Sequence, residues 1–201
     1  MDTYLDIILQ ACSENAPEHV VVPEGVTAIA ADAFAGQRNV RTIELPSTLR
    51  EIGERAFVGC MALESIVLPE GLEKLGARAF RNCVELKSIN IPPALEVIPE
   101  AAFSQCMGLQ HVTGGEGVYG ICAEAFSGCK RLEVCEPLAH AVDIGDQAFN
   151  WCNMLEPPTF PVEMVYIGEY AFRHCLKFAD VQISPAHVEY LAPTAFAGCA
   201  Q

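Results

Sequence analysis

The chain has 201 residues at 21.7 kDa, 51% hydrophobic and 19% charged, which supplies a packed core and excludes a disordered acidic tail. Its 12 Lys and Arg stand against 26 Asp and Glu, a net charge of -14, so it has no positive field to displace counterions from nucleic acid or to hold an anionic membrane surface. No apolar run nears the roughly 18 residues of a membrane span, so no membrane insertion is expected.

Residues 1–16 read as an N-terminal cap. The opening MDTYLDIILQACSEN lacks a basic leader and puts Asp6 inside its apolar stretch, so no signal peptide is legible. Leu5, Ile8, Leu9 and Cys12 lie on one helical stripe after a possible Asp2 or Thr3 cap, and this predicts a short capping helix rather than a strand.

From residue 17 to 201 the chain repeats itself. Ala-Phe recurs with its ring at Phe34, Phe57, Phe80, Phe103, Phe126, Phe149, Phe172 and Phe196, six intervals of 23 and one of 24. Three residues after seven of these rings stands a thiol: Cys60, Cys83, Cys106, Cys129, Cys152, Cys175 and Cys199, with Gln37 breaking the series. In LESIVLPEGLEKLGARAFRNC, Ile66, Val67 and Leu68 form a short strand with the first and third side chains inward, stopped by Pro69. A turn follows, the chain resumes through Leu72 and Leu75, and the Ala-Phe pair suits a tight corner. A 23-residue unit cannot bury its apolar face alone, whereas stacked units share one core. The expected fold is a repeat solenoid of about eight 23-residue coils, mainly short parallel β-strands with turns.

A leucine, an isoleucine-x-leucine-proline strand, a second aliphatic pair, Ala-Phe and Cys together resemble the BspA-like, or Treponema pallidum type, class of leucine-rich repeats. The match runs from about Glu18 to Cys199. The resemblance implies a leucine-rich-repeat-like fold in a mostly bacterial or protozoan class, often surface-exposed. Several of its members are regarded as adhesins for host matrix proteins or other cells.

Further along, Gly114 and Gly115 occupy the places of an inward aliphatic and the strand-ending proline, and Cys135 and Pro158 fall where Ile66 and Ile89 sit. The strands are therefore expected to be ragged from about Gly114 to Pro161, as drift or as a reshaped binding face. Gly115, Gly117 and Gly120 spell a dinucleotide fingerprint, but the repeat places a strand and the Phe126 corner downstream instead of a helix. Leu45, Pro46, Ser47 and Thr48 begin like a sortase signal and are an ordinary repeat turn. After Cys199 only Ala200 and Gln201 remain, so the array is expected to continue or to be uncapped, which admits end-to-end self-association.

No catalytic constellation, cofactor or metal site is legible. The histidines His19, His111, His140, His174 and His187 are scattered, and the cysteines lack close pairs. The recurring thiols read as a buried structural ladder with the phenylalanines, while Cys12, Cys122 and Cys135, outside it, are the better candidates for an accessible thiol. The acids Glu51, Glu54, Asp143, Asp146, Glu163 and Glu169 read as a solvated face.

The candidate protein-binding surface is the outward column of the first strand. It includes Thr42, Glu44, Ser65, Val67, Ser88, Asn90, His111 and Thr113, and extends to His19, Val21, Val134, Glu136, Pro157, Thr159, Asp180 and Gln182. Tyr166 and Tyr190 occupy equivalent places in adjacent coils, with Tyr119 and Tyr170 as further neighbours, and are candidate aromatic anchors. The expected function is a non-enzymatic protein-binding scaffold, part of a bacterial surface or secreted adhesin holding a host or matrix protein. The alternative is an architectural spacer positioning other domains. The extracellular or surface location is implied by the resemblance, and a cytoplasmic one is left open.

Overall fold

Alternation within each unit decides which side chains enter the core. Ile66 and Leu68 are buried and Val67 between them is 71% exposed, as a strand of period two requires. The computed structural model describes residues 7–9, 16–179, 181 and 188–199. In chain order the strands are β1 (Ile7–Leu9), β2 (His19–Val21), β3 (Val26–Ile29), β4 (Thr42–Glu44), β5 (Glu51–Ile52), β6 (Ser65–Ile66), β7 (Lys74–Leu75), β8 (Ser88–Ile91) and β9 (Val97–Ile98). They continue as β10 (His111–Gly114), β11 (Gly120–Ile121), β12 (Val134–Cys135), β13 (Asp143–Ile144), β14 (Met164–Ile167) and β15 (Val188–Leu191).

All pairings are parallel, one coil apart, and the chain is a parallel β-solenoid of about seven turns of 23 residues. The front face carries β2-β4-β6 and then β8-β10-β12; the back face carries β1-β3-β5-β7 and then β9-β11-β13-β14-β15. Both faces are interrupted at one place, between the coil carrying Phe80 and the coil carrying Phe103.

The third side of each coil is the Ala-Phe corner. Seven rings, Phe34 to Phe172, are almost fully buried and stack face to face with centroids 5.0 to 5.4 Å apart; Phe196, half-buried, continues the stack 5.2 Å from Phe172. Main-chain bonds tie each corner to the next: Phe57 N donates to Ala79 O at 2.8 Å, and Phe80 N to Ala102 O at 2.8 Å. The thiols complete the corner. Cys83 Sγ donates to Phe57 O at 3.3 Å and Cys129 Sγ to Phe103 O at 3.1 Å, and the same bond recurs from Cys60 to Cys199.

Two backbone columns flank each ring in the left-handed region. One is Asp32, Arg55, Arg78, Ala101, Glu124, Gln147 and Tyr170, at φ from 51° to 59°; the other includes Asn82, Gln105, Trp151 and His174 at 59° to 64°. Such conformations are costly for residues other than glycine, so neighbouring bonds must over-determine them. Arg55 N to Ala77 O at 3.0 Å and Arg78 N to Glu100 O at 2.9 Å are such bonds.

Two expectations are corrected. Ile7–Leu9 is a strand, not part of a helix, because the open edge of β3 supplies partners: Leu9 pairs with Ile29, and Ala30 N donates to Leu9 O at 2.9 Å. Asp2, Thr3, Leu5 and Cys12 lie outside the described residues. Raggedness does not begin at Gly114 either, since β10 pairs with β8 through Gly114 opposite Ile91. Gly114 stands at φ 75° with Ile91 O 2.6 Å from where a Cβ would lie, so only glycine fits that approach. The front strands fail later, at the 3-10 turn Glu136–Ala139 and at 157–160, which form no strand.

Candidate functional site

The front strands set the outward column in register: His19 opposite Thr42, Thr42 opposite Ser65, and Ser88 opposite His111, which faces Val134. Its N-terminal end lines an open groove of His19, Thr42, Glu44, Ser65 and Val67, walled by the turn residues Ser47, Arg50, Pro69 and Glu70. The turns are held from within. Arg50 Nη1 donates to Ser47 O at 2.9 Å and Leu49 O at 3.0 Å, and Glu24 accepts from Ser47 N at 3.2 Å.

Exposed Val21 and Val67 give this face apolar area, and carboxylates rim it. Arg41 is bracketed by Glu18 at 3.7 Å and by Glu64, which also lies 3.8 Å from Lys87. Ser88, His111 and Thr113 continue the column and are exposed. Asn90 is not available to a ligand as expected: it is half-buried, its Oδ1 accepting from Leu68 N at 2.9 Å and its Nδ2 donating to Leu68 O at 2.7 Å. Glu136 is likewise engaged, accepting from Gly114 N at 2.6 Å. Pro157 and Thr159 are exposed beyond the last front strand, and Asp180 and Gln182 lie outside the described residues, as does His187.

Sequence reading missed one constellation. His19 Nδ1 sits 2.6 Å from Thr42 Oγ1 and its Nε2 3.3 Å from Glu44 Oε1, bringing together a hydroxyl, an imidazole and a carboxylate. The residues are 23 and 25 positions apart, and only the coil register aligns them. Catalytic use of such a trio requires a buried carboxylate holding the imidazole and a dry pocket for the oxyanion. Here the His19 and Glu44 side chains are 53% and 68% exposed, so the arrangement serves as a tie between adjacent coils.

On the back face Tyr166 and Tyr190 stack with centroids 5.1 Å apart and planes 12° apart, and Tyr166 Oη lies 3.2 Å from Asp146. The rings' surroundings raise the Tyr166 phenol, first by desolvation and then through Asp146. Tyr119 and Tyr170 do not join the pair. Gly120 and Asp143 hold the equivalent places, and Tyr170 instead lies under the Arg173 guanidinium at 5.2 Å.

The described cysteines are all free thiols. Burial pushes Cys83, Cys129, Cys152 and Cys175 up, far from the thiolate. Neither Cys122 nor Cys135, the candidates for an accessible thiol, is held near the thiolate. Cys135 is buried and pushed well up by desolvation, and Cys122, half-buried, is raised by desolvation and then by Asp143 and Glu100. Among the described residues no group of three His, Cys, Asp or Glu side chains is placed to hold a metal ion, and no helix is long and apolar enough to cross a membrane.

Comparison with known proteins follows the repeat. The family described as BspA type leucine rich repeat region matches residues 7–133 and 136–201 in six copies. A leucine-rich repeat protein from Bacteroides ovatus is similar in structure, with 32% identity, 78% of this chain covered and a TM-score of 0.72; the chain spans only 40% of that protein. The leucine rich repeat protein of T. pallidum is 31% identical over 82% of this chain and 79% of its own, with a TM-score of 0.69. A leucine rich cell surface protein from Faecalibacterium prausnitzii shares the fold at 19% identity and a TM-score of 0.51, covering 99% of this chain and 77% of its own. A search of the curated proteins finds no match.

Proposed function

The chain belongs to the BspA-type leucine-rich repeat family, and on that premise we propose that it is a non-enzymatic protein-binding scaffold, part of a bacterial surface or secreted adhesin. Leucine-rich repeats of this family suggest a protein-interaction scaffold. The observation that carries the reading here is the front groove, where Val21 and Val67 stand 59% and 71% exposed among Thr42, Glu44 and Ser65. Apolar area ringed by polar groups is how a protein-binding patch is built. Glu44 and Glu70 in its lining, outside the Arg41 and Lys87 ion pairs, fit a partner with basic side chains at its rim, a host or matrix protein in the adhesin reading.

The test is a binding screen of the purified chain against fibronectin, fibrinogen, laminin and collagen at micromolar concentration, with Val67→Glu alongside. Binding that Val67→Glu weakens about ten-fold or more supports the front groove. Silence against every protein removes the adhesin reading. Binding that Val67→Glu leaves intact but Tyr166→Ala and Tyr190→Ala abolish would move the site to the back face.

A second reading is an architectural spacer that binds nothing and positions neighbouring domains. It draws on the B. ovatus protein, of which this chain matches only 40%. Concentration-dependent sedimentation tests the remaining proposal, end-to-end self-association, and a monomer at all concentrations refutes it.

A further inference from the structure

The interruption of the back face between the Phe80 and Phe103 coils has a cause in one residue. In the other coils an amide just past the second strand closes the back face: Gly53 N donates to Ile29 O at 2.8 Å, Gly76 N to Ile52 O at 2.7 Å, Cys122 N to Ile98 O at 2.9 Å and Gly145 N to Ile121 O at 2.8 Å. The equivalent residue of the Phe103 coil is Pro99, which has no N–H to give to Leu75 O.

The bonds just upstream are missing too. Glu73 N reaches Arg50 O at 2.9 Å and Tyr119 N reaches Glu96 O at 2.9 Å, but between them no bond runs from Glu96 N or Val97 N to Glu73 O. The back surface here is an open depression over three coils, lined by residues 51–54, 73–76 and 94–97.

The other two sides of this junction stay tied. At the corner Arg78 N donates to Glu100 O at 2.9 Å, Asn82 N to Ser104 O at 2.9 Å, and Cys106 Sγ to Phe80 O at 3.1 Å. On the front, the Asn90 side-chain amide takes both polar groups of Leu68, and the main-chain bond from Lys87 N to Glu64 O stretches to 3.3 Å against 2.8 Å for its neighbours in the coils before and after. The corner keeps its main-chain bonds, the front keeps a side-chain bridge in place of its ladder, and the back loses its usual donors.

We infer that this junction is a one-sided hinge, at which the rod bends by opening its back face and curling away from it. Main-chain bonds resist separation at the corner, and a paired side-chain amide resists it on the front. On the back the three positions that would donate to the Phe80 coil give it nothing: Glu96 N and Val97 N make no bond to Glu73 O, and Pro99 has no N–H. The bend places the front strands on its inner side, so that the column from His19 to Val134 curves toward anything docked there. The hinge is a property of the free chain and stands apart from the binding proposal, although it gives that surface a way to adapt.

Two measurements on the full chain, without ligand, test it. In native-state hydrogen exchange the amides of Glu96 and Val97 exchange about ten-fold or more faster than those of Tyr119 and Val142, and Pro99→Gly, which restores an N–H without a side chain, slows them toward those neighbours. In pulsed dipolar spectroscopy with non-cysteine spin labels, the Lys74–Asp143 pair spans the junction and gives a broad distance distribution that Pro99→Gly narrows. The Glu96–Val165 pair spans as many coils without crossing it and is narrow in both proteins. Equal protection of Glu96 and Tyr119, or equal widths for the two label pairs in the wild type, overturns the hinge whatever the outcome of the binding screen.

Discussion

Raising the pH above 9 under reducing conditions attacks the corner from within. Cys83, Cys129, Cys135, Cys152 and Cys175 are buried, and desolvation raises all five thiols. In the unfolded chain a thiol ionises near 8.5, so the stability each contributes as a neutral donor is complete below that pH and falls as pH rises toward its folded value. Above pH 9 the loss approaches about 1.4 kcal/mol per thiol per pH unit, or roughly 7 kcal/mol per unit for five acting together. Against a total stability of about 5–15 kcal/mol this unfolds the solenoid within one to two units. Urea melts at pH 8, 9, 9.5 and 10 with a phosphine reductant read the slope, and Cys129→Ala should reduce it by about one thiol's share, roughly 1.4 kcal/mol per unit. An identical slope in wild type and Cys129→Ala, or an intact fold at high pH together with full thiolate absorbance, refutes the reasoning.

Four further outcomes are expected. Phe80→Ala empties the middle of the ring stack and should cost about 3–5 kcal/mol, whereas Tyr166→Ala on the surface should cost under about 1 kcal/mol; urea melts giving the reverse order would misplace inside and outside. Asn90→Ala leaves both polar groups of Leu68 without their side-chain partner and should cost about 1–3 kcal/mol, with faster hydrogen exchange at Leu68 as the local signature. Gly36→Ala meets no atom within 4 Å and should cost only the left-handed strain, about 1–2 kcal/mol, while Gly114→Ala adds a clash with Ile91 O and should cost more; thermal melts of the pair separate strain from contact. Cys129→Ser should destabilise by about 1–3 kcal/mol, because a buried hydroxyl costs more to desolvate than a thiol, and a more stable serine variant would mean the site favours polarity.

Much of this architecture is written in single residues. The period, the inward rings and the alternation of Ile66, Val67 and Leu68 are legible because each follows from one residue's polarity at a fixed spacing. What escaped depends on the coil below. Asn90 reads as an outward polar residue and is a bridge, because Leu68 presents unpaired main-chain groups one coil away. Thr42, His19 and Glu44 read as unrelated until the register sets them side by side. The left-handed columns were invisible for a stronger reason. Arg78, Ala101 and Tyr170 carry no local signal for φ above zero, and the conformation is imposed by bonds to neighbouring coils.

The cysteine series follows the carbonyls of the phenylalanine corners. A Phe carbonyl in the corner accepts one bond from the amide three residues on, as Phe57 O does from Cys60 N at 3.2 Å, and has a second lone pair facing the core. The thiol of the next coil meets that lone pair, Cys83 Sγ at 3.3 Å, with a donor weak enough to bury cheaply and small enough to lie under the ring. In the first unit the sequence has no Ala-Phe pair one period before Phe34, and the first described acceptor of this kind is Phe34 O, which takes the Cys60 thiol. Gln37 stands in the thiol's place in that unit, half-buried, and its Oε1 accepts from Ala16 N at 3.3 Å, at the edge where the repeat meets the segment before it. Among the described residues each thiol of the column is thus matched by a phenylalanine carbonyl one coil back.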